Sequence, residues 1–347
     1  MIEVRDTIRR ILIVLVAVPC LSSCGGGIQN AINPAGPQAA NLSRLWWLMF
    51  IVCTVVFVLV MIVFLFSLRN RTKEPLSTIP PVLELSQEQE RRFRNVVIGA
   101  ITVTVVILFV FLIASFSAGR SMTAELAHKN GLTIEVTGHQ WWWEIRYTDV
   151  DASNIFTTAN EIHIPVGVPV TFTLYGADVI HSFWVPNLAG KKDLIPGKVN
   201  TLWLQADKPG VYRGQCAEYC GLQHAQMALW VVAEPQEQFN AWRQNQTQTS
   251  VPPASDSQKR GQQVFMSTTC VMCHAINGTA AGSNIGPNLT HVASRNTIAA
   301  ATMSNTRDHL AQWIKDSQQV KPGNKMPQHN LSDPDLQSLI DYLQSLK

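Results

Sequence analysis

Apolar residues are spread very unevenly along this chain of 347 residues. Two uncharged runs, LWWLMFIVCTVVFVLVMIVFLFSL over 45–68 and NVVIGAITVTVVILFVFLIASFSAG over 95–119, each exceed the roughly 20 residues needed to cross a bilayer core, and predict two transmembrane helices. Between 132 and 232 the pattern shifts to a period of two, through Ile134 and Val136 and then Trp141, Trp143 and Ile145, with Pro and Gly at the breaks. Short alternating segments separated by turn residues predict the strands of a β-sandwich or barrel, within a domain spanning 122–235. EQFNAWRQ, after Pro235, reads as a short closing helix. Residues 245–255, NQTQTSVPPAS, lose both periodicity and apolar content. They read as a linker with a reach of roughly 17–20 Å. Helical spacing returns in SDSQKRGQQVFMS, TRDHLAQWIKDS and SDPDLQSLIDYLQSL, which predicts a small all-α domain over 256–347. The last of these starts with Ser332 as N-cap, Asp333 and Asp335 in the first turn and Pro334 early in it.

Charge orients this layout. Arg69, Arg71, Lys73, Arg91, Arg92 and Arg94 crowd the two inner ends of the segment joining the apolar runs, so that segment is expected on the cytoplasmic side and everything after Ser121 on the other, in a bacterial inner membrane. Near the start, Arg5, Arg9 and Arg10 precede ILIVLVAV, a run too short to span, with the form of a signal-peptide core. LSSC follows at 21–24 and resembles the lipobox of bacterial lipoproteins. That predicts a leader over 1–23 and a lipidated Cys24.

Of seven cysteines, Cys20 falls in the leader, Cys24 at the lipid position, and Cys53 amid the first span as an apolar filler. Two pairs remain, and in an oxidising compartment either could be a disulfide. CVMCH at 270–274 has the form of a c-type haem attachment site, with Cys270 and Cys273 adding to the vinyl groups and His274 placed to bind the iron. No second C-x-x-C accompanies it, as a zinc site would require. The sixth ligand of such a haem is usually a methionine; Met326, in KPGNKMPQ, is favoured over Met303, Met266 and Met272. His291, His309 and His329 read as surface residues.

The other pair lies in QCAEYCGLQHAQM, 215–227. A copper centre on a β-sandwich draws on histidine, cysteine thiolate and a weak methionine. With a second cysteine four residues away, two thiolates could bridge two copper ions. That scheme needs another histidine, and His181, in DVIHSFWVP, lies 35 residues upstream of Cys216. These segments, with GHQWWW at 138–143, DLIPGK at 193–198 and the two spans, resemble subunit II of the haem–copper cytochrome c oxidases, and the appended domain resembles a class I cytochrome c.

The resemblance implies a multidomain membrane protein: a two-helix transmembrane hairpin, a cupredoxin-like β-sandwich and an all-α class I cytochrome c domain. It implies a dinuclear copper centre, CuA, held by His181, Cys216, Cys220, His224, Met227 and the carbonyl of Glu218. It further implies magnesium at the Glu218 side chain on the subunit I boundary, and electron entry through Trp141. Trp142 stands where the family commonly has tyrosine, and Glu90 is too loosely placed to match the family's proton-entry glutamate. Partners implied are subunits I and III, a cytochrome c or membrane electron donor, and membrane lipid, with no nucleic acid. The implied function is electron input to an oxidase that reduces oxygen and pumps protons; feeding a nitric-oxide reductase is the alternative, and a copper-storage module or quinol-oxidase subunit fits less well. Residues 122–235 carry eleven acidic against seven basic residues, and 256–347 six against eight. That asymmetry favours docking of the two exported domains on each other.

Overall fold

The computed structural model describes residues 27–69, 86–120 and 132–347; the leader, Cys24, Arg71, Lys73 and His128 lie outside them. Two long helices, α1 (Pro37–Arg69) and α2 (Gln87–Arg120), contain the predicted spans and run past them at their ends. Their apolar side chains are exposed along the length of both, as is required of surfaces that face lipid rather than a protein core. Ser86 starts α2 with a reciprocal cap: its hydroxyl accepts from the Gln89 N–H, and Gln89 Oε1 accepts from the Ser86 N–H, satisfying two otherwise orphaned donors. Glu90 is exposed in the first turn.

The strand-rich region is a sandwich rather than a closed barrel. Its strands are β1 (Thr133–His139), β2 (Trp142–Thr148), β3 (Phe156–Ala159), β4 (Glu161–Pro165), β5 (Val170–Gly176), β6 (His181–Trp184), β7 (Lys192–Leu194), β8 (Asn200–Leu204), β9 (Gly210–Cys216) and β10 (Ala228–Glu234). They form two sheets of order β3-β2-β1-β5-β8 and β4-β10-β9-β6-β7. Pairing is antiparallel except β1 with β5 and β4 with β10. The period of two is physical: Ile134 and Val136 on β1 and Trp143, Ile145 and Tyr147 on β2 are wholly buried, while their neighbours along the strand are not. At roughly 25 cal/mol per Å² of apolar surface, this alternating face is what holds the two sheets together.

After β10 come α3 (Gln236–Gln246), α4 (Asp256–Ser267), the single turn α5 (Cys270–Cys273), a two-residue β11 (Thr297–Ile298) paired with β12 (Met303–Ser304), then α6 (Arg307–Lys315), α7 (Ser317–Val320) and α8 (Asp333–Leu343). Ser255 caps α4 through a complete capping box with Gln258, and Ser332 accepts from the Asp335 N–H at the start of α8. The helices enclose a second core around Phe265, Ile276, Leu339, Ile340 and Tyr342.

The connection between the two domains differs from a free linker. α3 continues to Gln246, the Ser250 N–H donates to the Asn277 carbonyl at 2.9 Å, and the Gln248 carbonyl lies 3.1 Å from His291 Nε2. His291 is correspondingly buried, not a surface residue: its Nδ1 lies 2.8 Å from the Lys347 carbonyl, so one imidazole fastens the connector to the chain end. His309 is half-buried rather than a plain surface residue, with its Nδ1 3.0 Å from the Ser304 carbonyl.

Candidate functional site

The cysteine-rich loop is set by three neighbouring strands. His181 opens β6, Cys216 closes β9, and β10 begins immediately after Met227. Phe183 on β6 pairs with Cys216, and the Cys216 N–H donates to the Met227 carbonyl at 2.9 Å. Strand register thus brings together residues separated by 35 and 11 positions.

The ligand-type atoms of His181, Cys216 and Cys220 all lie within 4.8 Å of one another. Cys216 Sγ is 3.9 Å from His181 Nδ1 and 3.1 Å from the Glu218 carbonyl oxygen. Cys220 Sγ is 3.6 Å from His224 Nδ1 and 3.8 Å from Met227 Sδ. The two cysteines are free thiols, so the loop is not a disulfide. A hydrogen bond from the Cys220 thiol draws the Cys216 pKa down to about 3. Cys220 is pushed upward by its bond to Cys216 and by burial. Buried soft donors with a thiolate ready among them, two imidazole nitrogens and a thioether fit copper far better than a hard cation.

Asp178, which sequence inspection passed over, orients the first histidine. Its Oδ1 lies 2.9 Å from His181 Nε2 and accepts from the Val179 N–H at 2.8 Å, while Oδ2 accepts from the Gln140 N–H at 2.7 Å. A carboxylate on Nε2 fixes the proton there and leaves Nδ1 to face the thiols, the usual second layer of a metal site. Burial works to lower the His181 pKa, and Cys216 and Asp178 outweigh it and raise it. Gly138 is needed beside this ring, because a Cβ there would stand 2.8 Å from His181 Cδ2. The Glu218 carboxylate is half-exposed and 3.7 Å from Lys191 Nζ.

The second site is a cavity of about 410 Å³ lined by Cys270, Cys273, His274 and Met326 together with apolar side chains. His274 Nδ1 lies 2.7 Å from the Pro287 carbonyl. A carbonyl only accepts, so Nδ1 carries the proton and the Nε2 lone pair is left for a metal. Gly286 makes room for that ring, since a Cβ there would lie 2.7 Å from His274 Cε1. Met326 is held by its backbone: its N–H donates to Asn324 Oδ1 at 2.8 Å, and its carbonyl accepts from Ser317 Oγ at 2.7 Å and Gln318 Nε2 at 2.9 Å. Met303 sits on β12 and does not line the cavity. His329 reaches the cavity lining, against the expectation of a plain surface residue.

Arg295 also lines the cavity, and its Nε is buried with no hydrogen-bond partner among the described residues. Burial lowers the guanidinium's pKa, and Glu161 opposes this from the sandwich. An orphaned guanidinium donor inside an apolar cavity fits a ligand with carboxylate arms, as a haem with its propionates is. Nothing in the local sequence marked Arg295 beyond its place nine residues after Gly286.

Trp141 joins the two sites. Its indole Nε1 donates to the Cys220 carbonyl at 3.0 Å, and the same half-buried side chain lines the cavity. Trp142, also on the cavity wall, stacks on His139 with centroids 4.4 Å apart. His163 lies elsewhere, between Glu234 Oε1 at 2.9 Å and Glu161 Oε1 at 3.2 Å and stacked on Trp242. That is a structural cluster.

Comparison with known proteins gives the same division. Residues 132–234 match the family model of the cytochrome c oxidase subunit II periplasmic domain, and residues 258–347 match that of cytochrome c. The chain is 36% identical over 325 residues to cytochrome c oxidase subunit 2 of Alkalihalophilus pseudofirmus, covering 92% of this chain and 91% of that one. It is 28% identical over 359 residues to cytochrome c oxidase subunit 2 of Bacillus subtilis, covering 97% and 98%. The crystal structure of the periplasmic domain of subunit II of cytochrome oxidase from Bradyrhizobium japonicum aligns at 33% identity and a TM-score of 0.33, over 35% of this chain and 96% of that one. The chain belongs to the cytochrome c oxidase subunit II family, in the form that carries a cytochrome c domain. It is thus part of an oxidoreductase complex, with two helices long and apolar enough to cross a membrane, a copper-centre domain and a haem domain.

Proposed function

We propose that this chain is the electron-input subunit of a respiratory cytochrome c oxidase, taking electrons from a cytochrome c or membrane-bound donor onto its own haem c and passing them through CuA to haem in subunit I. The observation that carries this reading is Trp141, whose indole touches the haem cavity on one side and the Cys220 carbonyl on the other. The two groups, when bound, would supply one-electron carriers, a haem iron and copper.

The chain's own residues do the rest. Cys270 and Cys273 tether the haem, while His274 and Met326 bind its iron. His181, Cys216, Cys220, His224 and Met227, with the Glu218 carbonyl, hold the copper. Asp178 and Pro287 fix the two histidine rings by accepting from the nitrogen that faces away from each metal. The half-exposed Glu218 carboxylate is suited to magnesium at the subunit I boundary. Oxygen reduction and proton pumping belong to the complex, with subunits I and III as partners. We assign both exported domains to the outer face of a bacterial inner membrane, with a leader over 1–23 and a lipid on Cys24. The oxidase relatives favour this over a nitric-oxide reductase.

The test is a low-temperature electron paramagnetic resonance spectrum of the assembled, oxidised protein. A seven-line copper hyperfine pattern beside a low-spin haem signal is expected. A four-line pattern, meaning a single copper ion, would overturn the dinuclear assignment.

A further inference from the structure

The seam between haem and copper domains runs along the loop that also carries Met326. Lys321, five residues earlier, is 2% exposed, although lysine is among the residue types least often buried. Its Nζ lies 2.9 Å from the Gln226 carbonyl, 3.2 Å from that of Ala299 and 3.3 Å from that of Trp141. Three ammonium donors meet three carbonyl acceptors, two from the copper domain and one from the haem domain. No carboxylate among the described residues pairs with it within salt-bridge distance.

Further contacts surround this point. Gln223 Nε2 donates to the Pro322 carbonyl at 2.6 Å, and the Ala228 N–H donates to the Ala300 carbonyl at 3.2 Å. A Cβ on Gly323 would stand 2.8 Å from Leu222 Cδ1, so the loop lies flat on the copper loop. Farther out, Asn296 donates its N–H to Glu161 Oε2 at 3.0 Å.

We propose that Lys321 is a positioning residue for electron transfer between the two centres, its ammonium clipping the haem domain to the backbone of Trp141 and Gln226 and so fixing the cavity against the copper loop. The proposal rests on the relay described above. The net charges of the two domains bring them together over distance and are screened by salt. Lys321 acts at contact, buried and bound to backbone, where screening is weak. It grips Trp141 by the carbonyl of the residue whose indole spans the two sites. The connector, whose backbone is itself hydrogen-bonded to the haem domain, already holds the domains near each other; the clip adds a contact on the face that carries Trp141.

The experiment uses the full chain in its assembled oxidase, with K321M keeping the stem and removing all three donors. Haem and copper spectra are read first in the wild type, so failure of the relay reading shows there and failure of the clip shows only in the variant. Leaving buried carbonyls unpaired is expected to cut hydrogen-exchange protection of the Ala228 amide about tenfold, which is about 1.4 kcal/mol. Copper reduction after flash reduction of the haem slows with it, while both spectra stay unchanged. Protection and rate both within twofold of wild type would overturn the proposal. A second measurement needs no variant: amine labelling of the native complex should modify Lys321 at least tenfold more slowly than the exposed Lys325, and equal rates would overturn the proposal too.

Discussion

Replacing Asp178 by asparagine separates a copper site ordered by its second layer from one ordered by the loop alone. The Asp178 carboxylate serves four donors: His181 Nε2 and the Val179 N–H on Oδ1, the Gln140 N–H and Lys325 Nζ on Oδ2, the last at 3.4 Å. Asparagine keeps one acceptor oxygen and turns the other into a donor. Whichever way the amide is set, its NH₂ meets an N–H, either at His181 and Val179 or at Gln140. One or more hydrogen bonds to a charged acceptor are lost, each worth about 1.5–3 kcal/mol. With the NH₂ on the Oδ1 side the loss falls on the bond that holds the His181 ring; with it on the Oδ2 side that bond is kept but its acceptor no longer carries charge. Copper affinity is therefore expected to drop roughly 10- to 100-fold, the usual effect of removing such a partner. Competitive copper titration of the reduced full chain measures it. Burial works to raise the Asp178 pKa, and the bonds from His181, Gln140 and Val179 outweigh it and hold it low. Its contribution to stability is thus present above the ordinary carboxyl value and lost as pH falls through the lowered one. D178N should flatten that part of the acid limb. An affinity within twofold of wild type, with the acid limb unchanged, would refute the reasoning.

M326A should keep its covalent haem but lose the low-spin optical signature, whereas M303A keeps it; the reverse result reassigns the axial ligand. R295M removes a buried cation from the haem cavity, which should lower the haem potential by about 60 mV, a tenfold change for a one-electron couple, in a potentiometric titration. Burial works to lower the His163 pKa, and Glu161 and Glu234 outweigh it and raise it. The stabilising contribution is therefore full below about 6.5 and lost as pH rises through the raised value, so the melting temperature should fall over that range in the wild type but not in H163Q.

What was legible in the sequence was what lies close together along the chain or repeats with a period. The loop at 215–227 holds four of the proposed side-chain donors within twelve positions, and CVMCH is contiguous. The apolar spans and strand alternation follow from burial alone. Contacts with no local signature were missed. Lys321 meets Trp141 across 180 positions, and no pattern in KPGNKMPQ distinguishes a buried ammonium from the exposed Lys325. His291 reads as a surface residue in the sequence because its partners, Gln248 and Lys347, come from the connector and the chain end. The connector looked free for the same reason: its polar side chains give no hint that its backbone is hydrogen-bonded to the haem domain. The spans were read short of their helices because hydropathy ends at Arg69 and Arg94, while helical hydrogen bonding does not depend on side-chain polarity.

The most direct test of the relay is flash reduction of the haem in the assembled protein, with haem and copper absorbance followed together over a range of protein concentrations. The account predicts that haem reoxidation and copper reduction share one time course whose rate does not change with concentration, because donor and acceptor belong to one chain. A copper reduction rate proportional to protein concentration, or no copper reduction while the haem stays reduced, would contradict it.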